Sequence, residues 1–364
     1  MTLRPTRPSL AWIALSAAAA VIPGACSRSA QDDACPPCPC AATSASSAAP
    51  PKPSNRKLTA LEGETGKGEL LIDKYVPEVW VPDVEVHHLA VHRSSLWWSE
   101  LSGVYERPFD GEVRQVIQAP RVGALVADDG GVVVAIVMGP EENPDRFELQ
   151  QIGADERAPR RLARMACVPR DLALARDFVV VASTCGIFAV PRKGGAPRQL
   201  EAETPHHVAV AADRDRVCYV NDHRLTCRSL VDTKERPRVL AALRPGPLLL
   251  DRLVLYALEE GMMADVPRHD DYGRLVRWEV EPTGERWVLT SKQYEVSHLL
   301  RDDDAIYYGT GGGSVRRVSK NGEQVQTLYH VNRQETPRLA LGGGFLYFVL
   351  SSERGIRRFR LATE

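Results

Sequence analysis

Between Cys167 and Leu200 the chain alternates four short apolar runs with turn pairs. The runs are Asp171–Ala175, Phe178–Thr184, Ile187–Pro191 and Arg198–Leu200, and the turns are Arg176-Asp177, Cys185-Gly186 and Gly194-Gly195. Rich in Val, Leu, Ile and Phe and too short for helices, the runs predict strands joined by hairpins. Four antiparallel strands in about 35 residues make one blade of a β-propeller.

The same grammar recurs along most of the chain. Aligning innermost strands by a three-residue apolar centre gives Leu89-Ala90-Val91, Leu125-Val126-Ala127, Leu172-Ala173-Leu174, Val208-Ala209-Val210, Leu248-Leu249-Leu250, Leu299-Leu300-Arg301 and Leu339-Ala340-Leu341. Successive centres lie 36, 47, 36, 40, 51 and 40 residues apart. A period near 40 residues, each with four strands, is a propeller signature and not that of a helical solenoid. The expectation is an all-β, seven-bladed β-propeller. The last repeat stops after a third strand at 356–361. Asn55-Arg56-Lys57-Leu58-Thr59-Ala60 looks like the fourth strands Pro197-Arg198-Gln199-Leu200 and Pro237-Arg238-Val239-Leu240. This N-terminal strand is therefore expected to complete blade seven and close the ring. Residues 63–83 are expected to connect it to blade one, with room for a strand at 70–73. Were that connection a blade remnant, the count would become six or eight.

The N-terminus reads as a targeting segment. Arg4 and Arg7 precede the apolar run Ala11–Ile22, which is shorter than the about 20 residues a membrane-spanning helix needs but suits an export signal. Pro23-Gly24-Ala25-Cys26 resembles the lipobox of bacterial lipoproteins, although Pro23 stands where that family usually has Leu. The resemblance implies acylation of Cys26 and, since Ser27 and not Asp follows, the outer membrane; simple secretion is the alternative. The expected organisation is a signal peptide over 1–25, an Ala/Ser/Pro-rich tether over 26–55 with little to bury, and a propeller over 56–364. Cys35, Cys38 and Cys40 form CPPCPC in the tether. Local disulfides in an exported tail fit them better than a redox pair or soft metal site, because no strand or helix N-terminus is near to shape one.

The formal net charge of −1 supplies no basic excess for nucleic acid, and no further apolar span suggests a membrane-embedded body. Cys218 and Cys227 flank a hairpin turn at Asp222-His223 and face each other at a non-hydrogen-bonded position. Cys167 and Cys185 are nearly symmetric about Arg176-Asp177. In an exported chain both pairs are expected as disulfides.

Blade pattern and composition, such as a hydrophobic strand followed by VPRKGGAPRQL, resemble bacterial envelope propellers of the TolB, NHL and YWTD type. That group hosts binding proteins, scaffolds and a minority of enzymes, so fold does not give function. The residues preceding the apolar centres are His88, Ala124, Asp171, His207, Pro247, His298 and Arg338. Three histidines on one repeat position at the channel mouth, with Asp171 and Arg338, suit a divalent metal or an anion. The plainer alternative is that they satisfy backbone groups there. Long insertions at 139–146 and 259–274 emerge on the same face, and His269, Asp270 and Asp271 in the second offer oxygen and nitrogen ligands or are simply solvated loop tips. Arg277, Arg316, Arg317, Arg357, Arg358 and Arg360 make the late third strands basic, which reads as a wet outer surface or as a site for an acidic partner. Of Trp97 and Trp98, on opposite faces of a strand, at least one is expected in the core.

The function expected is that of a non-enzymatic, lipid-anchored envelope protein whose propeller presents a binding surface to a protein, glycan or small ligand. Expected partners are an envelope protein or polysaccharide, with no nucleic acid and no membrane contact beyond the lipid. The alternative is a metal-assisted lyase or hydrolase at the channel mouth. No GxSxG elbow, HExxH helix or phosphate-binding glycine loop lies in a usable context.

Overall fold

Seven hydrogen-bonded sheets make up the fold: five are antiparallel four-stranded meanders that begin with the inner strand, one adds a fifth, parallel strand at its edge, and one takes its fourth strand from the N-terminal side. The computed structural model describes Glu69–Leu70 and residues 76–361, apart from 140–145, 154–155, 157, 203–208, 222, 243–245, 260–272, 282–283, 294 and 332. All the described residues belong to the compact unit Thr59–Glu364 and contain strands but no helix. The inner strands are His88–His92, Val122–Asp128, Pro169–Leu174, Ala209–Asp213, Leu248–Asp251, Ser297–Arg301 and Arg338–Gly342. Each lies against the inner strands of both neighbours, and Arg338–Gly342 meets His88–His92, so the ring is closed. The fold is a seven-bladed β-propeller.

The fourth strand of blade seven is Glu78–Pro82, not residues 55–60, which lie outside the described residues. It pairs antiparallel with Gly355–Arg360, setting Glu78 opposite Arg358 and Pro82 opposite Gly355. The resemblance of residues 55–60 to other fourth strands rested on a polar, weakly apolar hexapeptide. EVWVP instead carries Trp80, which is 8% exposed and packs with Tyr347, Val349 and Ile356. Burying a large aromatic side chain is worth a few kcal/mol, far more than a short polar strand can supply. Glu69–Leu70 adds a fifth, parallel strand to the outer edge of blade six, opposite Gln326 and Thr327.

Seven hydrophobic clusters fill the seven gaps between blades. A strand within a blade therefore buries both faces. Trp97 faces blade two and Trp98 faces blade seven, and both are core residues at 4% and 0% exposure. This is why second strands such as Gly131–Met138 read as unbroken apolar runs and not as alternation.

Two local devices repeat. Every fourth strand carries a bulge where it pairs with the third, placing an extra apolar residue at Trp80, Val116, Leu162, Leu200, Leu240, Leu289 or Leu328. Such bulges twist and blunt an otherwise open sheet edge. Two residues before three of these leucines an arginine follows a proline, and its guanidinium reaches the next blade. Arg160 donates to the Arg192 carbonyl (2.9 Å), Arg198 to that of Leu230, and Arg238 to that of Val280 (2.8 Å). The Pro-Arg-x-Leu pattern is thus one outer-edge bulge plus one staple between blades. Third strands open on glycine where the fourth strand crowds the backbone: a Cβ on Gly103, at φ 146°, would fall 2.0 Å from the Ile117 oxygen.

Cys167 is joined to Cys185 and Cys218 to Cys227, with Cα atoms 5.8 and 4.1 Å apart. Cys218 and Cys227 are direct cross-strand partners, and Asn221 opposite Arg224 closes a two-residue turn in which His223 has φ 60°.

Candidate functional site

The first residues of the inner strands ring one mouth of the central channel. The hairpins between second and third strands lie at the same end, since Glu100 pairs with Gly103 and His88 with Ser99. Met138 opposite Arg146, and Glu259 opposite Arg274, anchor the two long insertions on this face.

Hairpin register fixes which residues are equivalent. In blade four Asp213 pairs with Arg216 and Val210 with Tyr219. Val210, not Val208, therefore matches Leu89, which lies equally far from its turn at His92–Ser95. The residue equivalent to His88 in blade four is Ala209. His207 stands two residues earlier, in a segment outside the described residues, so the threefold repetition of histidine at this position does not hold. Aligning apolar centres fails here because residues 208–212 read Val-Ala-Val-Ala-Ala and offer two equally good triplets. His269, Asp270 and Asp271 also lie outside the described residues.

Most of the remaining position is occupied by contacts from blade to blade. Asp171 accepts hydrogen bonds from its neighbour Leu172 N (2.9 Å) and, across the gap to blade four, from Val210 N (3.0 Å). Burial nevertheless pushes its carboxyl up to about 6. His88 shares a hydrogen bond with Ser99 Oγ through Nδ1 at 2.8 Å and a second with the Gly123 backbone in blade two. Ser297 Oγ donates to Pro337 O (2.5 Å), joining blades six and seven, and Arg338 Nη1 donates to Val86 O (3.3 Å), just before blade one. Backbone groups left over where inner strands begin are thus satisfied by side chains of the preceding blade.

His298 is different. It forms no hydrogen bond or ion pair among the described residues, it is exposed, and it sits at φ 26° on a bulge between Ser297 and Leu299. Desolvation, then the neighbouring Arg338 charge, holds its imidazole down at about 4. Burial, followed by the charges of Arg338, His298 and His87, does the same to His88, also to about 4. His298, Arg338 and His88 therefore form one electrostatic group on three consecutive blades, six, seven and one. Asp171 belongs to blade three and stands apart from them. The sequence pattern missed this adjacency because blades seven and one meet only through ring closure. It also missed His87, whose influence on His88 comes from chain proximity.

Among the described residues no group of three His, Cys, Asp or Glu side chains converges as a metal site would. Several arginines of the late third strands have local partners: Arg277 lies over Trp287 (5.0 Å) beside Glu279, Arg316 meets Gln293, Arg357 pairs with Glu353 and Arg358 with Glu78.

No protein-family model matches the chain, and no curated protein sequence matches it. Solved structures resemble it in fold. They include a chain of the mitotic checkpoint complex (TM-score 0.56, 13% identity, covering 79% of this chain and 93% of that one). YCF48 bound to D1 peptide follows (0.55, 12%, 79% and 95%), as does BamB from Moraxella catarrhalis (0.51, 14%, 79% and 98%). At such identities the likeness is one of β-propeller architecture.

Proposed function

We propose that this chain is an exported, lipid-anchored cell-envelope protein whose propeller binds a protein partner on its channel-mouth face. The observation that carries the reading is the composition of that face. Both long insertions are anchored there, Leu101 stands 65% exposed on a neighbouring hairpin, and at the mouth Arg338 and His298 have no carboxylate partner among the described residues. A rigid scaffold bearing loops at one end is the usual geometry of recognition. The fold neighbours support a protein as the partner, one of them being a propeller captured with a peptide. Two formed disulfides in a described body with no other cysteine support export into an oxidising compartment. The signal-like segment and Cys26, in its lipobox-like setting, support a lipid anchor in a bacterial envelope.

A photo-crosslinking residue placed at Leu101, and separately at Val239 on the outer strand of blade four (57% exposed), tests the reading in intact cells of the source organism. A discrete protein adduct at Leu101 and none at Val239 is expected. Adducts at neither position, or equally at both, would contradict a partner-binding mouth.

A further inference from the structure

We propose that the channel mouth between blades six and seven is a carboxylate-binding site, in which Arg338 and His298 take an acidic side chain or the C-terminal carboxylate of the protein partner. The inference rests on the reading above and names the chemistry by which that face would recognise its partner.

Arg338 carries five N–H donors, of which one is used, on Val86 O. No carboxylate pairs with it among the described residues, and none of its nitrogens is a buried, unpartnered atom, so the remaining donors reach the solvent of the channel. Other arginines of the late blades are neutralised by carboxylates: Arg301 by Asp251, Arg357 by Glu353, Arg358 by Glu78. Arg338 keeps its charge open. On the adjacent blade His298 has neither ring nitrogen bonded among the described residues and holds a left-handed backbone that a β-strand does not otherwise need. Strain of this kind persists only where the surroundings impose it, characteristically at binding sites. His88, held by Ser99 and Gly123, lies close enough to feel the charges of Arg338 and His298.

Charge selects the ligand. With both imidazoles neutral near pH 7 the site carries a single positive charge, on a planar fork that matches a carboxylate in two parallel hydrogen bonds. A monoanion balances it. A phosphate dianion would leave one negative charge uncompensated among channel walls, and a metal cation would be repelled by Arg338.

The test is histidine ring NMR of the full chain, with acetate, inorganic phosphate and two short peptides as probes. One peptide is N-acetyl-glycylglycine with a free C-terminal carboxylate. The other is a blocked, amidated tripeptide whose only charge is one glutamate. His298→Gln, which breaks no internal hydrogen bond, assigns the reporting resonance. Acetate is expected to shift the His298 ring signals saturably, with Arg338→Gln weakening binding by about tenfold or more and phosphate binding no better than acetate. The tighter of the two peptides then identifies the source of the carboxylate. No saturable shift, an unaltered response in Arg338→Gln, or tighter phosphate binding would overturn the proposal. Any of these, with the Leu101 adduct intact, would leave the partner-binding reading standing. Should Arg338→Gln fail to fold, Arg338→Lys, which keeps the charge but loses the fork, is expected to bind more weakly than wild type, and equal binding would count against the site.

Discussion

The guanidinium of Arg358, on the last strand of the chain, lies 4.8 Å from the ring centroid of Trp80, on the strand that closes the ring. Arg107 of blade one covers the same indole at 4.3 Å and donates to the Trp80 carbonyl. One residue near the start of the propeller is thus held between its first and last blades. Trp80→Ala should cost about 3–5 kcal/mol, a fall of roughly 5–8 °C in Tm for a domain this size. Deletion of 78–82 should be worse, while deletion of 56–62 should leave the transition in place. The contrary order in thermal unfolding would return ring closure to residues 55–60.

The two disulfides span 18 and 9 residues. Loop-closure entropy assigns each about 2.5–3 kcal/mol. Cys167→Ala/Cys185→Ala and Cys218→Ala/Cys227→Ala should each lower the midpoint of denaturant unfolding, and reductant should bring wild type down towards the variants. A wild-type midpoint indifferent to reductant would show that the staples add nothing to stability.

Protonation should destabilise the channel mouth. His88 and His298, held near 4 against an ordinary 6.5, disfavour the charged form when folded. Their contribution is intact above pH 6.5 and is lost as pH falls towards 4. Asp171, raised from 3.8 to about 6, works the other way, since the folded state holds its proton more tightly and gains as pH falls through 6. Two groups outweigh one, so Tm should drop between pH 7 and 4.5, and His88→Gln/His298→Gln should abolish the drop, leaving the gain from Asp171. An equally steep pH dependence in that double variant would place the titration elsewhere.

His298→Gly separates binding from folding. Glycine accepts φ 26° without a Cβ penalty, so Tm should stay level or rise while acetate binding weakens. A clear loss of stability would make the side chain structural.

Cys26→Ala should move the protein from the membrane fraction to the soluble exported fraction, followed by fractionation and fatty-acid labelling. Unchanged partition would refute the lipid anchor.

Blade number and strand order were legible in the sequence because turns and apolar runs recur at a length that only four short strands can fill. What escaped was whatever depended on register or on the two ends meeting. Val208 and Val210 are indistinguishable as apolar centres, and only the turn between Asp213 and Arg216 shows that Ala209, not His207, stands where His88 does. Glu78–Pro82 was hidden inside a presumed connection because its one decisive residue, Trp80, is recognisable only from the pocket that receives it. Trp97 and Trp98 both proved buried because blades pack on two faces, which strand alternation alone does not reveal. At the site, the histidines and Arg338 stood out by repeat position. Their grouping on blades six, seven and one required the closed ring.

The most direct test of the account is the yield of the Leu101 photo-adduct in wild type and in Arg338→Gln, with thermal unfolding of each. A tenfold or greater loss of adduct at an unchanged Tm is expected. An undiminished adduct in the folded variant would contradict the claim that this protein holds its partner through a carboxylate at Arg338.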